Sequence, residues 1–247
     1  MNTPLPYCGA PPAPGELLAR FNLDPILIAA LLALAFLHLY VSRTRRTRLL
    51  AAAGWCTAAA ALISPLCALS VALFSARIGQ HMILLLIAAP LVASAWPISR
   101  PGRSDLLLYG SGVAFLICLW AWHMPVPYDA TFTSTWIYWS MHISLFGSAT
   151  VLWRELLHHR PDRTAQVLVV GLATSMHMGL LGAVLAFASH PLFFPHLTTT
   201  AVWGLTALQD QQFGGTLMWV PGIALFLFVA LRSFQRLWRA LETPRPV

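Results

Sequence analysis

Nine histidines and seven methionines mark where this chain could do chemistry. Five of the six methionines after Met1 adjoin a histidine, in His81-Met82, His123-Met124, Met141-His142 and Met176-His177-Met178; the sixth is Met218. Imidazole ligates copper in either common oxidation state, and thioether sulfur prefers Cu(I). Used only as gap filler, methionine has no reason to adjoin histidine so often. Neighbouring residues on a helix point about 100° apart. One member of each doublet is therefore expected to ligate, and the other to line an approach or pack. The histidines are the first choice as ligands.

The elements that must position these groups are helices in a bilayer. Of 247 residues, 58% are hydrophobic and 9% are charged, against about 25% charged in soluble domains. Too little polar surface remains to cover a water-soluble globule, so lipid is the expected solvent. Seven apolar stretches are long enough to span: 25–40, 49–72, 78–95, 105–122, 136–157, 164–189 and 212–231. The expectation is an all-α polytopic membrane protein, a bundle of seven transmembrane helices. A tail of residues 1–24 precedes the transmembrane domain of residues 25–240, and residues 241–247 follow it. The tail is proline-rich and lacks the basic segment of a cleavable signal peptide. The third span is expected to stop near Pro97.

All 15 basic residues are arginines. With seven alternating spans, 13 of them fall on one side: Arg43, Arg45, Arg46, Arg48, Arg100, Arg103, Arg154, Arg160, Arg163, Arg232, Arg236, Arg239 and Arg245. Only Arg20 and Arg77 fall opposite. The positive-inside rule puts the N-terminus outside and the C-terminus in the cytoplasm. It also explains the net charge of +7 without nucleic acid.

At 1.5 Å per residue, His81 lies about 5 Å below the outer surface, and His142, His177 and Met218 lie about 9 Å below it. Potential ligands on four helices thus share one layer. A lone intramembrane histidine is commonly a packing residue bonded between helices. A set of them is harder to explain that way, because polar groups in a membrane are costly and usually functional. The expected metal set is His81, His142 and His177, with Met218, Met82, Met141 and Met178 as soft partners. His123, Met124, His190, His196, Asp129 and Asp210 form a possible entry path from the outer face; the two aspartates serve equally as caps of helices five and seven. His158 and His159 read as a headgroup-facing edge. Cys8, Cys67 and Cys118 rank below the histidines, as small packing residues. No CxxC pair, phosphate-binding glycine loop or HExxH motif occurs.

Four stretches resemble the caa3-type cytochrome c oxidase assembly factor family, CtaG. They are FNLDPILIAALLALAFLHLY, QHMILLLIAAPLVASAWP from Gln80 to Pro97, WHMPVPYDATF with FGSATVLW between Trp122 and Trp153, and DQQFGGTLMWVPG from Asp210 to Gly222. The resemblance implies a seven-helix protein of the bacterial inner membrane that helps build a haem-copper oxidase, with a proposed part in supplying copper. Its partners would be an oxidase subunit and a periplasmic copper donor. The family pattern is not complete. Arg77 and Ile78 stand where many members have histidine and methionine, and Tyr138 and Met141 where many have histidine and glutamate. Exchanging carboxylate for thioether favours Cu(I). The expectation is a metallochaperone and not an enzyme. The rival expectations are a haem-binding redox membrane protein, a metal-free assembly scaffold and a copper transporter.

Overall fold

Caps and prolines set the helix ends. The computed structural model describes residues 5–96, 105–159 and 161–242. Pro97, Arg100, Arg103, Arg160 and Arg245 lie outside the described residues, as does most of the 241–247 tail. Helix α1, Pro25–Val41, starts with proline at its first position, and the Asp24 carboxylate accepts the Ile26 N–H at 2.8 Å. Helix α2, Arg45–Ile63, opens with a reciprocal capping box between Thr44 and Thr47. It stops ahead of Pro65, which cannot donate to a helix and restricts Ser64. The chain resumes as α3, Leu66–Ala72, bent by 47°.

Helix α4, Phe74–Ile83, runs through a π-helical turn, Leu84–Ala88, into α5, Ala89–Ala95. Pro90 lacks the N–H that would continue regular pairing, and the wider turn directly precedes it. The Trp153 indole donates to the Leu85 carbonyl at 2.8 Å, so an oxygen in the widened turn is satisfied from another helix. Helices α6 (Asp105–Trp122), α7 (Pro125–Ala130), α8 (Thr135–Leu157), α9 (Thr164–Ala186) and α10 (Ala207–Glu242) complete the set. Among the described residues there is no strand.

Among the described residues three helical runs are long and apolar enough to cross a membrane: Phe74–Ala95, Asp105–Trp122 and Thr164–Ala186. The bent α2–α3 pair makes a fourth if taken as one span. Helix α1 is apolar but has only 17 residues. The structure redraws several expected boundaries. The stretch 49–72 is two helices, the third run starts at Phe74 instead of Ile78, and the sixth ends at Ala186 instead of Ser189. Helix α10 begins at Ala207, before Gln212, because Thr206 supplies its cap, accepting the Gln209 N–H at 3.2 Å. Many large apolar side chains are exposed, among them Ile26, Phe36, Leu106, Trp136 and Ile143. Such a surface suits lipid and not water.

Helix α10 packs along α9 and α4, α6 along α8, and α5 between α2 and α8. Contact of α9 with α10 needs glycine. A Cβ on Gly182 would meet the Trp219 backbone nitrogen at 2.8 Å, and one on Gly215 would overlap the Ala186 nitrogen. This packing brings α4, the end of α6 and α8 around one buried point.

Candidate metal centre

Three histidines meet at that point. His81 on α4 stands edge-on to His123, just past α6, with ring centroids 5.6 Å apart, and to His142 on α8, at 5.5 Å. All three are at least 96% buried. His123 and His142 each use Nδ1 locally, against the carbonyls of Leu119 (2.6 Å) and Tyr138 (3.1 Å), four residues earlier. That contact fixes the proton on Nδ1 and leaves Nε2 with its lone pair. Neither Nε2 has a partner, and His81 has none for either ring nitrogen. Four buried, unpaired imidazole nitrogens cost about 1–3 kcal/mol each. Neutral imidazole held by an outer hydrogen bond is the form a metal takes.

The rings are near the spacing of shared coordination. Two imidazoles bound to one tetrahedral ion at about 2.0 Å put their centroids about 5 Å apart. As placed they do not converge: among the described residues no group of three His, Cys, Asp or Glu side chains could hold a metal ion.

Asp210 anchors α4 from a distance. Its carboxylate, fully buried, accepts the N–H groups of Phe74 (2.6 Å) and Ser75 (3.1 Å) and the Ser75 hydroxyl at 2.5 Å. The residue expected to guide a cation or cap its own helix instead satisfies the first N–H groups of another helix, the one carrying His81. Gln80 ties α4 to α2 through the Ala61 carbonyl at 2.8 Å. Arg77 lies one turn before His81 and is 1% exposed. It donates to the Thr131 hydroxyl at 2.6 Å, and its guanidinium carbon is 4.2 Å from the Phe132 ring centroid and 5.1 Å from that of Tyr128.

The other residues singled out above lie elsewhere or serve packing. His177, half-buried, lines a cavity of about 160 Å³ with Tyr109, Val113, Leu116 and Thr174, and has no ring contact with the cluster. Met82, Met141, Met178 and Met218 are buried in the apolar core, and Met178 packs against Gly222. Met124 is exposed. His190 is exposed beside Ser189. His196 spends both nitrogens: the Tyr128 hydroxyl meets Nε2 at 2.6 Å and Nδ1 faces the Ala72 carbonyl at 3.4 Å. Burial pushes its imidazole down to about 3, so it stays neutral. Asp129 does not cap α8, whose cap is Ser134. Burial raises the Asp129 carboxyl above its ordinary value.

Two cysteines expected as packing residues form a disulfide, Cys8–Cys67. It fastens the N-terminal tail over the cluster. Tyr7, beside it, stacks on Tyr138 at 4.8 Å and donates to the Asp24 carboxylate, holding that carboxyl below its ordinary value. Tyr138 in turn lies 4.3 Å from the His142 ring. Arg77, Tyr138 and this bridge are the parts of the site the residue pattern did not reveal. The departure of positions 77 and 138 from the family's histidines was the available signal.

The fold and the cluster define a class: a helical protein with membrane-length apolar helices and buried imidazoles whose ring nitrogens are unpaired. The chain belongs to the cytochrome c oxidase caa3 assembly factor family, Caa3_CtaG, which it matches over residues 41–104 and 111–240. An oxidase is accordingly its partner in kind. Among curated proteins and among solved structures, none matches the chain.

Proposed function

We propose that this protein binds copper as Cu(I) near the periplasmic face of the bacterial inner membrane and helps metallate a haem-copper oxidase. The carrying observation is the set of four unpaired nitrogens on His81, His123 and His142. In this reading the two Nε2 atoms and one nitrogen of His81 hold the ion, and His177 and the methionines are not ligands. Arg77, one turn away, opposes a second positive charge, so a monovalent ion is favoured over a divalent one.

The multi-pass topology with seven spans and an outer N-terminus belongs to the same proposal. The arginine asymmetry supports it. So does the disulfide, because such bonds persist in oxidising compartments such as the periplasm. A haem between these rings is disfavoured, because the void beside His81 and His142, lined by Leu84, Leu85, Leu145 and Phe146, is only about 170 Å³. The protein acts as a metallochaperone, not as an enzyme. Metal analysis of the protein purified under reducing conditions tests this. About one copper per chain is expected, falling below a tenth in H81A and H142A and unchanged in H177A. Copper-free wild type refutes the proposal and leaves a metal-free scaffold.

A further inference from the structure

The disulfide reaches the candidate copper site through one residue, Tyr138. The Tyr138 hydroxyl lies 3.4 Å from the Cys8 sulfur and 3.8 Å from the Cys67 sulfur. The same tyrosine's ring lies 4.3 Å from that of His142, which stands 5.5 Å from that of His81. Sulfur, phenol and imidazole thus form one unbroken contact chain. A staple for the tail needs no such placement, since the tail is already held by Tyr7 on Asp24 and by the Asn22 N–H on the Ile63 carbonyl at 2.8 Å.

The two sulfurs are unequal in a way that suits exchange. Cys67 is fully buried and Cys8 is half-buried on the tail. An external thiolate reaches Cys8 first, and Cys67 is then the leaving group. The Asn22 amide donates to the Cys67 sulfur at 3.5 Å, which stabilises a leaving thiolate. The Arg77 guanidinium carbon, 5.8 Å from the Tyr138 ring centroid, adds a positive field favouring thiolate.

We infer that Cys8 and Cys67 are a redox couple serving the histidine cluster, reducing Cu(II) to Cu(I) as the ion is loaded. This rests on the copper reading above. The reaction balances as follows. Two thiols lose two protons to solvent and two electrons, and the S–S bond forms. Two Cu(II) ions, arriving in turn, each accept one electron and leave as Cu(I). A periplasmic dithiol then reduces the bridge by exchange, becoming a disulfide itself. The structure is the oxidised form of this couple. Tyr138 is a positioning residue between the sulfurs and His142.

The test uses full-length protein in detergent, with Cys56→Ala and Cys118→Ala removing the two free cysteines, reduced and kept anaerobic. Two equivalents of Cu(II) are added with a Cu(I)-specific chromogenic chelator. The expected result is loss of two thiols and appearance of two Cu(I) per chain. The rate should fall at least tenfold in Tyr138→Phe, and in the H81A/H142A double variant to that of free N-acetylcysteine. Thiols that persist, or disappear equally fast without the histidines, overturn the inference. Cu(I) supplied directly separates the two readings. If it binds but Cu(II) is not reduced, only the redox couple falls; if it does not bind, the copper site falls with it.

Discussion

Replacing Asp210 tests how a residue on α10 shapes a site on α4. The fully buried carboxylate satisfies two backbone N–H groups and one hydroxyl, with contacts of 2.6, 3.1 and 2.5 Å. D210A leaves the buried Phe74 N–H and the half-buried Ser75 N–H unpaired, at about 1–3 kcal/mol each. An ordinary N-cap loss is about 0.5–2 kcal/mol. Some desolvation cost of the charge is recovered, so the expected destabilisation is about 3 kcal/mol. D210N keeps one acceptor oxygen and should lose about half as much. The damage should be local. Arg77 and His81 follow Phe74 by three and seven residues, so fraying of the first turn loosens the cluster, and Cu(I) affinity should drop at least tenfold. Urea unfolding in detergent, followed by tryptophan fluorescence, gives the energy. Hydrogen exchange at the Phe74 and Ser75 amides gives the location. A D210A variant within about 0.5 kcal/mol of wild type, with both amides still protected, would refute the cap and the positioning role built on it.

Three further outcomes are expected. His196 is neutral when folded, with its value pushed from 6.5 to about 3 by burial, so its stabilisation is complete well above pH 6.5 and lost as pH falls toward 3; it should account for about 2.5 kcal/mol of loss between pH 7 and 4.5, and H196F should remove that part of the pH slope in parallel urea titrations. G215L pushes its side chain into the Ala186 backbone, so it should separate α9 from α10 and lower stability by at least about 3 kcal/mol, read by the same unfolding assay. R77M removes a charge about 6 Å from the cluster, worth about 2–3 kcal/mol per unit of metal charge at an effective dielectric constant of about 20; competition binding should show Zn(II) gaining at least tenfold relative to Cu(I).

The all-helical architecture and the family were readable because both rest on long local patterns: apolar runs, prolines and the Gln80 and Asp210 motifs. The site was only partly so. Residue counting gives depth along a helix, and depth alone put His81, His142 and His177 in one layer. Which way a ring points needs the packing of helices, and packing turns His177 toward the α6–α9 cavity. His123 was placed on an entry path because the apolar stretch ends one residue before it, yet its ring lies beside His81. The Cys8–Cys67 bridge joins residues 59 apart and depends on the path of a proline-rich tail that has no periodic pattern. Asp210 shows the same limit: acting as a cap was legible in its type and place, but not that the helix capped would be a different one.

In the proposed site three imidazoles and no sulfur hold the ion. X-ray absorption on the protein loaded with one equivalent of Cu(I) addresses it without a mutation. The expected spectrum shows nearest neighbours of nitrogen at about 2.0 Å, with the outer scattering of histidine rings and no sulfur contribution. A first shell dominated by sulfur, from the methionines or from the reduced Cys8–Cys67 pair, would contradict it.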